Sequence, residues 1–400
     1  MAANRIHFKY VIVGGGVAGA SAVDGIREVD KNGTILIICS EPQLPYNRPP
    51  LSKGLWLGKT SLADIFVHDA AFYESMKVTV ENGDPAESID ARKKTVICSS
   101  RTSYSYDSLL VATGGTPRTF SGGQAGIEYY RYLDDFVSLH KELTPGKTAA
   151  VIGGGFIGSE MAVVLSANGI GVTMVFPDPY PCAAVFPPSL GTAVMARFAA
   201  AGIRLLPSDK AVSFNVGGNQ PVITTAQGET IVSDCIIAGI GILPSTEIAE
   251  NAGLRCDNGI VVDEQLCTSD HSIFAAGDVA RFPCTALGSL IRVEHWDNAV
   301  MQGRLAGRNM AGAHDPYTHL PYFFSDLFKF GYEAVGDVNA SYEVFEDWIT
   351  KSEKGVIYYL KDQRCVGVLL LNVWEKCDAA REIIRAGKRQ PATDLRGCIR

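Results

Sequence analysis

Four hundred residues, 46 % hydrophobic and 20 % charged, exclude a fibre, a mini-protein and a disordered chain, and at roughly 100 to 200 residues per domain they point to two or three domains. Thirty-six Lys and Arg against 43 Asp and Glu leave a net charge of −7, so there is no global basic field to hold nucleic acid or anionic lipid, and neither is an expected partner. Residues 1–10 lack the apolar core of a secretory signal, and no apolar run approaches the roughly 20 residues of a membrane span, so a soluble, cytoplasmic chain is expected. Ten scattered cysteines, with no CxxC pair and no His spaced to complete a zinc pattern, read as reduced packing thiols, and no metal site is expected.

In chain order, the apolar run at residues 10–13 breaks into Gly14-Gly15-Gly16-Val17-Ala18-Gly19. It resumes as an Ala-rich helical stretch through about Val29 and is followed by the apolar strand at residues 35–39. A β-rich stretch at residues 78–97 follows, then a buried strand ending in the small-residue turn Ala112-Thr113-Gly114-Gly115. The first pattern then recurs: a strand at residues 149–152, Gly153-Gly154-Gly155-Phe156-Ile157-Gly158, a helix through about Asn168 and a strand at residues 171–176. A strand and turn at residues 234–241 precede another strand that ends in Ala276-Gly277-Asp278. From about Tyr317 the chain turns aromatic-rich, with β-like runs at residues 356–360 and 365–371 and a helix at residues 379–386; the polar, basic tail beyond Gly387 is expected to be poorly ordered.

A lone GxGxxG is weak evidence, but each copy here follows a strand and opens a helix, the context that makes it a dinucleotide site. The first glycine permits the tight turn, the second lets backbone N–H groups approach a pyrophosphate, and the third allows close helix-to-strand packing. The phosphates then rest on the helix N-terminus. Glu41, 22 residues after Gly19, can accept two ribose hydroxyls, or can be a solvated loop acid. Asp178, two residues past Phe176 where an acid is usual, is either the matching ribose acceptor or a turn residue between prolines.

Two GxGxxG units separated by an ATG-type turn and closed by an AxGD turn resemble the two-dinucleotide flavoprotein reductases of the glutathione reductase superfamily, over nearly the whole chain. Four segments are specific to one branch: Leu44-Pro45-Tyr46-Asn47-Arg48-Pro49-Pro50-Leu51-Ser52-Lys53, Ala112 through Arg118, Arg292-Val293-Glu294-His295 and Ser325-Asp326. They are similar to the branch of apoptosis-inducing factor, monodehydroascorbate reductase and the ferredoxin and rubredoxin reductases. The resemblance implies an α/β fold of two Rossmann-like domains of the glutathione reductase type plus a C-terminal α+β domain. The FAD domain spans 1–118 and 244–316, the NAD(P)H domain 119–243 and the C-terminal domain 317–400.

The same resemblance puts FAD on Gly14, Gly16 and Gly19, with Glu41 on its ribose, Arg48 and Lys53 near the phosphate and isoalloxazine, and Asp278, which can also cap the helix that follows, on the ribityl or phosphate side. Ala112, Thr113, Gly114, Arg118, Gly241, Gly277, Glu294, His295, Trp296 and Phe324 complete the cofactor contacts. Gly153, Gly155, Gly158, Glu160 and Asp178 would hold NADH, with NADPH disfavoured by the acid. In relatives a lysine at the Lys53 position and an acid at the Glu160 position form an ion pair near flavin N5; without the surrounding motifs, Lys53 reads as a solvent-facing lysine and Glu160 as a helix-surface acid. Lys53, Glu160 and Trp296 are the expected catalytic residues.

No CxxxxC pair follows the first unit, and Glu41, Pro42 and Gln43 stand where a single redox cysteine would lie, so electrons are expected to leave directly from the flavin. Val300 and Phe324 replace the arginine and tyrosine of monodehydroascorbate reductases, which disfavours an ascorbate radical. The implied function is an FAD-dependent NAD(P)H oxidoreductase, a monomer or homodimer, passing single electrons to a small redox protein of the ferredoxin or rubredoxin type. A redox-sensing protein like apoptosis-inducing factor and a quinone diaphorase are the alternatives. Arg48, Arg292, Arg385, Lys388 and Arg389 are candidates for a local basic docking patch.

Overall fold

The structure, a computed structural model, describes residues 6–121, 126–216 and 220–400; of the N-terminal stretch read above, residues 1–5 lie outside the described residues. The chain forms two compact units: Met1–Asn47, Ala63–Thr116 and Leu243–Pro321 make the first, and Arg48–Leu62, Pro117–Ile242 and Tyr322–Arg400 the second. The mixed α/β class read from the sequence is the class observed.

The first unit is built on a seven-stranded sheet. Strands Val78–Asn82, Ile35–Cys39, Ile6–Val13, Ser103–Val111 and Ile273–Ala275 run parallel, and Thr95–Cys98 and Ala86–Asp90 extend the sheet antiparallel. The central strands are buried on both faces, as their unbroken Val, Ile and Leu runs require. Helix Val17–Val29 covers this sheet and packs backbone to backbone on helix Trp296–Met310. A Cβ on Gly303 would lie 2.1 Å from the Ala18 carbonyl oxygen, and one on Gly307 2.1 Å from that of Ala22.

The second unit repeats the theme with a five-stranded parallel sheet ordered Arg204–Pro207, Gly171–Phe176, Thr148–Ile152, Cys235–Ala238, Ile127–Glu128. Helix Phe156–Ala167 packs on it. The C-terminal portion is a five-stranded antiparallel sheet ordered Tyr322–Leu327, Phe330–Gly336, Arg364–Leu371, Lys354–Lys361, Glu343–Thr350, with helix Cys377–Ala386 against it.

Two features depart from simple chain order. Segment Arg48–Leu62, encoded between strands of the first unit, groups with the second. Tyr130 Oη donates to the Leu51 carbonyl at 2.5 Å, and Asn168, the C-cap of helix Phe156–Ala167, donates to the Trp56 carbonyl at 3.0 Å. The tail beyond Gly387, expected to be poorly ordered, instead packs down: Leu395 and Ile399 are buried, and the Gly397 N–H donates to the buried Asp347 carboxylate at 2.7 Å. Two apolar anchors among the charges outweigh a composition that reads as solvated.

Candidate functional site

The two glycine turns are superposable in their chemistry. A Cβ on Gly14 (φ +129°) would meet the Ala112 carbonyl oxygen at 2.1 Å, and one on Gly153 (φ +111°) the Gly239 carbonyl oxygen at 2.3 Å. On the third glycines, Gly19 and Gly158, a Cβ would meet the Gly14 and Gly153 carbonyl oxygens at 2.2 and 2.1 Å. Gly16 and Gly155 differ: a Cβ there meets nothing within 4 Å. Packing therefore accounts for the first and third glycines, while the second opens onto free space above a helix N-terminus. Neither Gly16 nor Gly155 caps its helix through a side chain, and neither first turn carries an acid. Orphan N–H groups and the positive dipole end there suit a pyrophosphate, so the residues fit the dinucleotides they imply.

The acids after the second strands are equivalent. Gly14 N–H donates to the Ile38 carbonyl at 2.9 Å and Gly153 N–H to the Val175 carbonyl at 3.0 Å. The next residues, Cys39 and Phe176, lie where a Cβ on Gly15 or Gly154 would strike them. Glu41 and Asp178 each follow two residues later, so Asp178 holds the place in the second unit that Glu41 holds in the first. Glu41 accepts from Tyr46 Oη at 2.5 Å, and Asp178 is exposed. All ten cysteines are free, and burial pushes the Cys39 thiol up to about 12, the behaviour of a packing residue.

Within the first unit, Ala112, Thr113 and Gly114 end the strand beside Gly14: Thr113 Oγ1 donates to the Ser245 carbonyl at 2.7 Å, and Gly114 (φ +65°) accepts from the Ser245 N–H at 3.0 Å. Gly277 (φ +80°) donates to the buried Gln302 Oε1 at 2.9 Å, and its Cβ would lie 3.1 Å from that of Ala18, in the first turn of the glycine helix. Asp278 sits inside the short turn Gly277–Val279, whose N-cap is Ala276, so it is not a capping residue. Glu294 pairs with Arg292 at 2.9 Å. His295 is the N-cap residue of helix Trp296–Met310, and burial pushes its imidazole down to about 4, so it is neutral at physiological pH. Trp296, 38 % exposed, donates from Nε1 to Asn47 Oδ1 at 2.7 Å.

Within the second unit, the structure joins Lys53 and Glu160 directly. Glu160 is 4 % exposed, and its carboxylate takes three donors: Lys53 Nζ and Ser325 Oγ on Oε1, and Ser52 Oγ on Oε2 at 2.5 Å. These three donors satisfy both oxygens of a carboxylate that is otherwise cut off from water. Lys53 Nζ also lies 5.7 Å from the Phe324 ring centroid, within cation–π range. Arg48 donates to the Arg131 carbonyl at 3.0 Å and stands over Tyr132. Arg118 donates its N–H to the carbonyl of Gly241 (φ +92°) at 2.9 Å, bringing those two expected residues together. Sequence reasoning missed Ser52 and Ser325 as partners of Glu160. Their signals were slight: Ser52 adjoins Lys53, and Ser325 shares a strand face with the inward Phe323.

Two strand–glycine turn–helix units, each with an open helix N-terminus that suits a pyrophosphate and an acid at the same offset past its second strand, are the arrangement of a two-dinucleotide protein. Residues 8–303 match the pyridine nucleotide-disulphide oxidoreductase family, and the chain belongs to it. Residues 306–353 and 346–386 match the C-terminal domain of mitochondrion-associated apoptosis-inducing factor. Apoptosis-inducing factor 1 of Dictyostelium discoideum is 32 % identical over 97 % of this chain and 80 % of its own length. The ferredoxin–NAD(+) reductase component of the anthranilate 1,2-dioxygenase system of Burkholderia cepacia is 32 % identical over 94 % of both chains. A ferredoxin reductase from Rhodopseudomonas palustris superposes with a TM-score of 0.89 at 29 % identity, covering 96 % of each chain. The chain is thus an FAD-dependent NAD(P)H oxidoreductase. Among the described residues no helix is long and apolar enough to cross a membrane.

Proposed function

We propose that this chain takes hydride from NADH and hands electrons singly to a small iron–sulfur protein of the ferredoxin or rubredoxin type. The observation that carries the reading is the buried Glu160 carboxylate holding Lys53 through an ion pair. FAD supplies the hydride acceptor and the one-electron donor when bound. Gly14, Gly16, Gly19, Glu41, Ala112, Thr113, Gly114, Gly277 and Asp278 hold it, in a domain made of residues 1–118 and 244–316. Residues 119–243 bind the nicotinamide nucleotide and residues 317–400 form the C-terminal domain. With the flavin bound, Lys53 would supply it a fixed cation, and Glu160 would keep that cation satisfied in its buried setting.

NADH is favoured over NADPH because Asp178 occupies the place equivalent to Glu41, where a carboxylate accepts ribose hydroxyls and repels a 2′-phosphate. Arg197, the nearest following arginine in sequence, is engaged elsewhere: it donates to the Ser352 carbonyl at 2.7 Å and stacks on Phe330.

Named relatives support the acceptor: rubredoxin-NAD(+) reductase and putidaredoxin reductase of Pseudomonas putida are 35 % and 28 % identical to this chain. Of the basic docking candidates, Arg292 is 10 % exposed, whereas Arg385, Lys388 and Arg389 are exposed, and the docking role falls to these three on exposure. Trp296→Ala is expected to impair transfer to the protein acceptor while sparing reduction by NADH, and the transfer should weaken with salt. If a panel of ferredoxins and rubredoxins is inert while quinones or ferricyanide turn over, the acceptor reading fails. The similarity to apoptosis-inducing factor supports a second reading, a redox sensor, which predicts slow reoxidation by every acceptor and NADH-dependent dimerisation.

A further inference from the structure

We propose that Ser325 is a positioning residue for Lys53, acting through Glu160. The inference rests on the reading above, in which the Lys53 ammonium serves the flavin. Lys53 has two contacts that involve the C-terminal strand Tyr322–Leu327: the Glu160 carboxylate, which Ser325 of that strand binds, and the Phe324 ring. Consecutive residues of that strand control both. Phe324 supplies the ring, and Ser325 donates to Oε1 of Glu160, the oxygen that Lys53 itself uses. Ser52 holds the other oxygen from the Lys53 side. Both carboxylate oxygens are therefore held by a hydroxyl, and without Ser325 the Oε1 side loses its only hydroxyl donor among these contacts, leaving the carboxylate able to turn toward Ser52 and shift Lys53 with it.

Water cannot take over the role. Ser325 is 2 % exposed, Glu160 4 %, and the cross-strand neighbour of Ser325, Tyr332, is fully buried. A carboxylate that loses a buried donor keeps more uncompensated negative charge, and that charge opposes electron uptake by a nearby acceptor. Ser325 thus sets both where the Lys53 cation stands and how much of its field the partner anion cancels.

The test compares Ser325→Ala with wild type in the FAD-loaded protein, reading the flavin midpoint potential by redox titration and flavin reduction by NADH in rapid mixing. Ser325→Ala is expected to lower the potential and to slow reduction by about tenfold, the scale of one lost charge-assisted hydrogen bond, with the NADH concentration for half-maximal rate unchanged. Cys182→Ala is the packing control. That thiol is buried, lies 3.7 Å from Ser159 Oγ on the same helix and makes no bond to the carboxylate. It should leave the potential and rate as in wild type. Equal shifts in Ser325→Ala and Cys182→Ala, or none in Ser325→Ala, overturn the positioning role. Lys53→Met separates the two levels: if it shifts the potential and Ser325→Ala does not, only this inference fails, whereas an unchanged potential in Lys53→Met removes the reading beneath it.

Discussion

Replacing Gly16 by valine tests the first glycine turn, because the structure separates its effect on folding from its effect on the cofactor. Gly16 has φ −90° and ψ −177°, extended backbone that valine adopts readily. Its added Cβ meets no protein atom within 4 Å, so the apoprotein should keep its stability to within about 0.5 kcal/mol. The two γ-methyl groups would fill the space above the N-terminus of helix Val17–Val29, where the FAD pyrophosphate is proposed to rest. Displacing it forfeits about two charge-assisted N–H bonds at roughly 1.5–3 kcal/mol each, or about 3–6 kcal/mol. At 1.4 kcal/mol per decade that weakens FAD binding by about 10² to 10⁴-fold. Gly14→Ala and Gly19→Ala form the contrast: their Cβ atoms would fall 2.1 and 2.2 Å from backbone oxygens, so both should lose stability before any cofactor is added. Thermal melts of the apoproteins and titration of FAD by fluorescence quenching measure the two effects. A Gly16→Val protein that purifies with full flavin, or an apoprotein that melts far below wild type, would refute the reasoning.

Glu160→Ala strands Lys53 at 18 % side-chain exposure beside two hydroxyls, and breaking such a pair is expected to cost about 3–5 kcal/mol in urea unfolding, less than Lys53→Met, which strands the more deeply buried partner. Asp178→Asn should narrow the preference for NADH over NADPH by about tenfold in the ratio of kcat/KM values, as loss of one carboxylate partner implies, and an unchanged ratio would assign Asp178 to the turn alone. The buried His295 imidazole titrates near 4 when folded against about 6.5 unfolded, so its stabilising contribution is complete above pH 6.5 and is lost as pH falls to 4, about 3 kcal/mol in all; His295→Gln should flatten the fall of Tm across that window. Leu395→Ala, in the tail, should lower stability by about 2–4 kcal/mol because the side chain is fully buried, and a neutral effect in a thermal melt would show that the tail does not hold the sheet.

Much of this protein is legible in its sequence because the rules involved act over a few residues. Apolar runs of strand length, a glycine turn and an Ala-rich helix recur twice, and the observed helices Val17–Val29 and Phe156–Ala167 begin and end close to where those patterns place them. The acids at 41 and 178 are likewise visible, since each follows its strand at a fixed offset. What the sequence could not decide is which glycines serve packing and which serve the ligand: Gly14, Gly16 and Gly19 look alike until the Ala112 carbonyl, almost a hundred residues away, closes on one of them. Nor could it show that Glu160 draws on donors 107 and 165 residues distant in sequence, Lys53 and Ser325, or that Leu395 and Ile399 pin a charged tail. A buried carboxylate is stable only when its oxygens are satisfied, and those donors arrive from separate segments that meet only when the strands and helices have packed.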